Sequence, residues 1–209
     1  NGKVMQYLCN TFKNTIDINK KDKYTNFTAI MLAAQYNENE DVINCLGETF
    51  KDTIDINIQS NLGYTAFMLA AEYNTNIEVI KYLYNIFHDT IEVSKLNTDG
   101  YTALLLAIVY NRNKDIMQYL YRTIDLCKQN EDGNTEYMLL VKYPVETKII
   151  ERIVYDVGGV NFYIKNNNSQ TILMLADDDT KWFLRDHYGL SQKSESEVES
   201  EAESESESD

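Results

Sequence analysis

The sequence predicts an all-α fold, a solenoid of helix-turn-helix repeats followed by a disordered acidic tail, and three periodic observations carry that reading. The phrase Leu62-Gly63-Tyr64-Thr65-Ala66-Phe67-Met68-Leu69-Ala70-Ala71 returns with variations, so that Thr28, Thr65, Thr102, Thr135 and Thr171 follow one another after 37, 37, 33 and 36 residues. A second phrase, Thr53-Ile54-Asp55-Ile56-Asn57, has counterparts beginning at Thr15, Thr90 and Thr123 and a looser one at Gly159. Between the two lies a turn with Gly63, Gly100 and Gly133 two places before the threonine, and with Asn26 and Ser169 at the equivalent positions. Two markers that keep step over such a period define a helical repeat array.

Each stretch of a repeat has a physical reason. Glycine, then asparagine, is what a backbone position of positive φ accepts. The threonine opens a helix, its hydroxyl facing an unpaired N–H of the first turn. Ala66, Leu69, Ala70 and Tyr73 then stand at i, i+3, i+4 and i+7, a buried stripe whose small residues admit a neighbouring helix. After the polar joint Asn74-Thr75-Asn76, the pair Thr75 and Glu78 has the form of a capping box for a second helix through Ile77, Ile80, Tyr84 and Phe87. The longer copies carry about four extra residues after that helix, close to one turn at 3.6 residues, and are expected to lengthen it without rotating its buried face. Pro144, the only proline, falls at a joint where a missing N–H is harmless.

In chain order the boundaries are a partial repeat at 1–19, repeats at 20–57, 58–94 and 95–127, a divergent repeat at 128–162, a C-terminal capping repeat at 163–190 and a Ser/Glu-rich tail at 191–209. Residues Asn1 to Leu8 align with Asn76 to Leu83, so the chain is expected to begin inside a repeat. The final helix is expected from Lys181, after the joint Asp177-Asp178-Asp179-Thr180.

These residues resemble the ankyrin repeat: turn glycine, Thr-Ala-(Phe/Leu)-(Met/Leu)-Leu-Ala, polar joint, aliphatic helix, then Ile-Asp-Ile-Asn, over roughly 1–188. The resemblance implies antiparallel helix pairs with β-turn fingers, and binding of other proteins through fingers and first helices. The family's usual proline after threonine is Ala66 or Ala103 here, and its usual histidine is Met31, Met68, Leu105, Met138 or Met174, which removes a turn-stabilising hydrogen bond. The Asn-, Ile-, Lys- and Tyr-rich usage resembles ankyrin proteins of giant DNA viruses of amoebae, a bias that an AT-rich protist genome shares.

Composition narrows function. The net charge is −14, of which the segment 191–209 supplies −7, so the body is mildly acidic and has no basic footprint for nucleic acid. Cys9, Cys45 and Cys127 are odd in number and widely spaced, which suggests neither disulfides nor zinc and fits an intracellular compartment, cytoplasm or nucleus. No apolar run reaches the ~18–20 residues that span a bilayer. His88 and His187 stand outside any catalytic constellation, and no phosphate-binding or metalloprotease motif occurs. Asp177 to Asp179 read as a solvated joint, and the sequons at Asn26 and Asn167 as chance. The expectation is therefore no enzyme, no cofactor, no metal, no membrane or small-molecule ligand, and a monomer that binds a protein.

The candidate partner surface is Leu62, Tyr64, Glu72, Tyr73, Thr98, Asp99, Tyr101, Val109, Tyr110, Glu131, Asp132, Asn134, Lys142 and Tyr143. Tyr36, Tyr73, Tyr110 and Tyr143 recur at the end of the first helix, where they either form an exposed aromatic row or, the favoured reading, pack under the next repeat. Phe27, Tyr64 and Tyr101 recur just before the threonine. In the tail Ser194, Ser196, Ser200, Ser204 and Ser206 each have a carboxylate three places on, the pattern of acidophilic kinases. Two alternatives to an adaptor remain: a polyanionic tail that binds basic proteins and mimics nucleic acid, and a substrate-recruiting subunit of a ubiquitin ligase.

Overall fold

The computed structural model describes residues 2–37, 39–111, 113–143 and 145–189; Pro144 and the whole tail, with its five candidate phosphorylation serines, lie outside them. The chain divides into two compact units, Asn1–Leu120 and Tyr121–Asp209. Among the described residues there are helices and no strand, and no helix is long and apolar enough to cross a membrane.

In the first unit a lone helix α1 (Gly2–Phe12) is followed by pairs: α2 (Ala29–Tyr36) with α3 (Glu40–Phe50), α4 (Ala66–Tyr73) with α5 (Ile77–Phe87), and α6 (Ala103–Leu106), which runs into a π-helical turn at Ala107–Asn111 before α7 (Lys114–Thr123), whose last three residues belong to the second unit. First helices stack on first helices and second on second: α2 packs against α4 and α4 against α6, while α3 packs against both α1 and α5. The second unit repeats the scheme with α8 (Glu136–Lys142), α9 (Thr147–Val157), α10 (Ile172–Leu175) and α11 (Asp178–His187), α10 lying against α8 and α11 against α9.

A first helix hemmed in by its own partner and two neighbours is buried nearly all round. In α4 Ala66, Phe67, Met68, Leu69, Ala70 and Ala71 are all buried, which corrects the four-residue stripe: Tyr73, assigned to it by helical period, is 50% exposed. Thr65, Thr102 and Thr135 cap their helices by accepting from the N–H of Met68, Leu105 and Met138. Thr28 instead donates its own N–H to the Met31 thioether at 3.4 Å, so sulfur partly takes over the hydrogen bond that the missing histidine was expected to forfeit.

Three other expectations change. The cap of α5 is Asn76, whose side chain accepts from Glu78 N–H, and not Thr75; a short Asx side chain reaches the first turn from the position directly before it. The extra residues of the longer copies lengthen the second helix little, 11 residues in α5 against 10 in α7. They make a turn instead, at His88 to Thr90, closed by Thr90 and Ile91 N–H on the Phe87 carbonyl. Finally, α11 starts at Asp178 because Asp177 caps it, accepting from Thr180 N–H at 2.8 Å.

Asparagines bolt repeats together. Asn74, 2% exposed, donates to the Ala34 and Asn37 carbonyls and accepts from Asn76 N–H, each at 2.9 Å. Asn111 does the same toward Ala71 and Asn74 at 2.9 and 2.8 Å. In the other chain direction Asn19 holds the Thr53 carbonyl and Asp55 N–H, and Asn57 the Thr90 carbonyl and Glu92 N–H.

Candidate protein-interaction surface

The fingers are two-residue reversals with an Asx or serine side chain at their root. Asn97 N–H donates to the Tyr101 carbonyl while its Oδ1 accepts from Asp99 and Tyr101 N–H; Ser60, Asn130 and Asn166 take the same place. The first finger is one residue longer, and Asp22 meets that with hydrogen bonds from Tyr24, Thr25 and Phe27 N–H and from the Thr25 hydroxyl. These hold its carboxyl well below the usual carboxylate range, the Thr25 hydroxyl contributing most.

Gly63, Gly100 and Gly133 have φ of 75°, 81° and 75°, and Asn26 and Ser169 share the positive sign at 58° and 61°, as their register predicts. Gly63 has a second reason to be glycine. A Cβ there would lie 2.8 Å from Thr98 N and 2.9 Å from Asn97 Cα, on the backbone of the next finger. Adjacent fingers thus touch main chain to main chain, Asn61 N–H on the Thr25 carbonyl and Thr98 N–H on the Leu62 carbonyl, both at 3.0 Å. In the second unit Asn167 N–H meets the Asp132 carbonyl at 2.9 Å.

Such close-set fingers present their side chains outward. Leu62 is 63% exposed, and with Tyr24, Phe27, Gln35, Tyr64 and Tyr73 it lines a groove of about 360 Å³ between the first two fingers and the ends of α2 and α4. Tyr36, Tyr73 and Tyr110 are 70%, 50% and 53% exposed. These three rings of the row are therefore on the surface, against the favoured expectation that they pack under the next repeat, whereas Tyr143, the fourth, is half-buried. Tyr101 is half-buried and meets Tyr110 edge to face, with ring centroids 5.9 Å apart; their hydrogen bond raises the Tyr110 phenol.

Glu72 stands among these rings. Burial raises the Tyr64 phenol, and hydrogen bonding to Glu72 and its negative charge add to the effect. Tyr73 is pushed up to about 12, first by its hydrogen bond to Glu72, then by burial and by that charge. At neutral pH the phenols are uncharged donors, and Glu72 is the only ionisable acid on α2, α4 or residues 103–111. Val109 is half-buried, whereas Thr98 and Asp99 are exposed at the third finger, where the Thr98 hydroxyl donates to the Leu62 carbonyl.

In the second unit Glu131 and Asp132 are exposed at a fingertip, and Lys142 lies 5.9 Å over the half-buried Tyr143 ring. Asn134 does not belong with them. It is 7% exposed, its Oδ1 accepting from Asn166 at 2.8 Å; the short amide at this position folds into the neighbouring finger, where a tyrosine ring extends outward. Both histidines are accounted for locally, His88 against the Asn85 carbonyl and Asp89, His187 among Tyr155, Phe183 and Tyr188. Among the described residues no group of His, Cys, Asp or Glu could hold a metal ion. Sequence reasoning set Phe27 in one row with Tyr64 and Tyr101 but passed over Tyr24 and Gln35, although register alone makes Gln35 the counterpart of Glu72.

Helix pairs joined by hydrogen-bonded fingers, repeating at this period, define the ankyrin-repeat fold, whose repeats are general modules of protein–protein interaction. Residues 43–130 match the family model described as ankyrin repeats (3 copies). No curated protein matches the sequence, whereas 381 chains of solved structures do match. The ankyrin repeat domain of Bcl-3, from the IkappaB protein family, is 17% identical, with a TM-score of 0.61 over 88% of this chain and 78% of that one. EF0377, an ankyrin repeat protein, is 18% identical, with a TM-score of 0.57 over 92% of this chain and 90% of the other. At such identity the likeness concerns the fold.

Proposed function

We propose that this chain is a non-enzymatic adaptor or scaffold that holds a protein partner against the finger turns and first helices of its middle repeats. The observation that carries the reading is the groove beside Leu62, Tyr64 and Tyr73, together with the row of half-exposed tyrosines that continues from it. Large rings with a polar tip, fixed on stiff helices, lose little freedom on binding and contribute most to protein interfaces. A rigid stack displays them without needing to move.

The experiment is site-specific photocrosslinking in full-length protein. A photoreactive residue at Leu62 or Tyr73 is expected to trap a discrete partner, one at Lys81 on the second helix is not, and Tyr64→Ala is expected to abolish the trapping. Equal yields from both faces would refute the reading. Loss of the partner only on removal of 191–209, with steep salt dependence, would favour the polyanionic tail instead.

A further inference from the structure

The groove between the first two fingers is apolar inside and charged along one edge. Tyr24, 87% exposed, and Leu62 stand on it from the two fingers, with Phe27, Leu69 and Tyr73 among its walls. Its volume of about 360 Å³ is at the small end of the ~300–1,000 Å³ range of binding pockets, so it takes a side chain or two of an extended segment and not the face of a helix. The first finger supplies the charged edge. Lys20, Lys21 and Lys23 are exposed there, and Lys23 directly precedes Tyr24. Asp22, the one carboxylate among them, is turned into its own loop, where it accepts from Tyr24, Thr25 and Phe27 N–H and from the Thr25 hydroxyl. Lys81 and Lys95 are paired with Glu78 and Glu92, whereas among the described residues none of the three finger lysines forms an ion pair. Lys21 donates to the Gln59 carbonyl at 3.1 Å, a bond that leaves its charge uncompensated. The second finger, 59–64, is uncharged and the third carries Asp99, so the first is a local positive spot on a chain of net charge −14.

Resting on the interaction role above, we propose that this groove receives an extended acidic segment of the partner polypeptide, an aliphatic or aromatic side chain entering beside Tyr24 and Leu62 while a neighbouring carboxylate meets Lys20 and Lys23. An apolar centre with a polar rim is the usual build of a protein interface. Burial of the anchor holds the segment, and the lysines select it, because rim charges steer approach and turn away like-charged partners more than they add affinity. A basic segment would meet three lysines and no answering carboxylate in the groove wall. Glu72, the only acid on the first helices of this unit, is not part of that wall and is bonded to Tyr64 and Tyr73. Since the lysines are exposed, their selectivity fades as salt is raised.

The test is selection of a random dodecapeptide phage library on the full-length chain, with wild type and Lys20→Glu/Lys23→Glu run in parallel. Wild type is expected to recover peptides that carry leucine, isoleucine or phenylalanine beside aspartate or glutamate, and the variant to lose the acidic preference. The most enriched wild-type peptide, made synthetically, should bind Lys20→Glu/Lys23→Glu and Leu62→Asp at least tenfold more weakly, each variant keeping the wild-type circular dichroism, and should bind wild type several-fold more weakly in about 0.5 M than in about 0.05 M salt. Recovery of uncharged or basic peptides, the same peptides from wild type and the lysine variant, or none sensitive to Leu62→Asp would overturn the proposal. Shifts of tail amides 194–208 in the ¹⁵N spectrum of Lys20→Glu/Lys23→Glu would give the groove to the chain's own tail, and self-association lost in Leu62→Asp would give it to a second copy; either also overturns it. The partner segment trapped by the photoreactive residue at Leu62 separates this assignment from the reading beneath it. A basic or uncharged trapped segment rejects the acidic chemistry while the groove reading stands, whereas no trapping removes the groove reading itself.

Discussion

Replacing Asn74 by alanine would remove three hydrogen bonds at a 2% exposed position: two to carbonyls of the preceding repeat, at Ala34 and Asn37, and one from Asn76 N–H. A hydrogen bond contributes a net ~1 kcal/mol, and a buried group left unpaired costs more than that mean. Set against about 0.5–1 kcal/mol regained in side-chain freedom, the loss should be about 2–3 kcal/mol. The backbone of Asn74 is extended, φ −80° and ψ 138°, so helix propensity does not enter. In urea, with a slope of ~1–3 kcal/mol/M, the far-UV dichroism midpoint should fall by roughly 1 M or more. Asn111→Ala, which removes the two donations of the next copy at 2.9 and 2.8 Å, should fall similarly. A loss under about 0.5 kcal/mol for both, against the net worth of even one bond, would refute the idea that these amides hold repeats together.

Other outcomes follow from the same geometry. Gly63→Ala combines positive φ with overlap on the next finger's backbone and should cost about 2–4 kcal/mol. Gly159→Ala, also at positive φ but with nothing within 4 Å, should cost only about 1 kcal/mol; equal losses in urea unfolding would dismiss the close approach. Ser169→Gly should raise stability by about 0.5–1 kcal/mol, because Ser169 sits at φ 61° in the last finger. No gain in the melting temperature would mean that the strain is relieved elsewhere. The Cys9 thiol is pushed from its ordinary value near 9 up to about 12, first by burial, then by its hydrogen bond with Cys45 and that thiol's charge. A raised folded pKa stabilises fully below the unfolded value and fades above it, so the advantage of wild type over Cys9→Ala should shrink as pH climbs from about 9 toward 12. A difference that stays constant across that window would contradict it.

Much of the fold can be read from the chain because it is written locally and then repeated. Thr65 and its copies mark helix starts, and the glycine register anticipates positive φ even at Asn26 and Ser169. What escaped notice depends on lateral neighbours. Helical period puts Tyr73 in line with Ala66 and Ala70, but whether the last ring of a short helix turns inward is decided by how closely α2 and the helix at 103–106 flank α4. Asn134 precedes its threonine just as Tyr64 does, yet its amide is short enough to pair with Asn166. The bolting role of Asn19, Asn57, Asn74 and Asn111 is equally silent in sequence, since their partners are main-chain groups 33 to 40 residues away, which carry no residue signature. That Glu72 stands against the Tyr64 and Tyr73 hydroxyls required the packing, since nothing in the spacing of these three residues pairs them.

The asparagine bolts also bear on how such a chain can grow. At the junction between residues 20–57 and 58–94, Asn57 reaches toward the later repeat and Asn74 back toward the earlier one. An in-frame duplication of one 37-residue unit copies a forward and a backward fastener together, so the new copy arrives able to secure both of its seams. A copy that has lost one of them, as where Ser94 stands in the place of Asn57, can still be accommodated beside neighbours that retain theirs. Extension of the array then requires no compensating change elsewhere in the gene, which leaves the exposed finger and helix-end positions free to diversify while the seams are inherited intact.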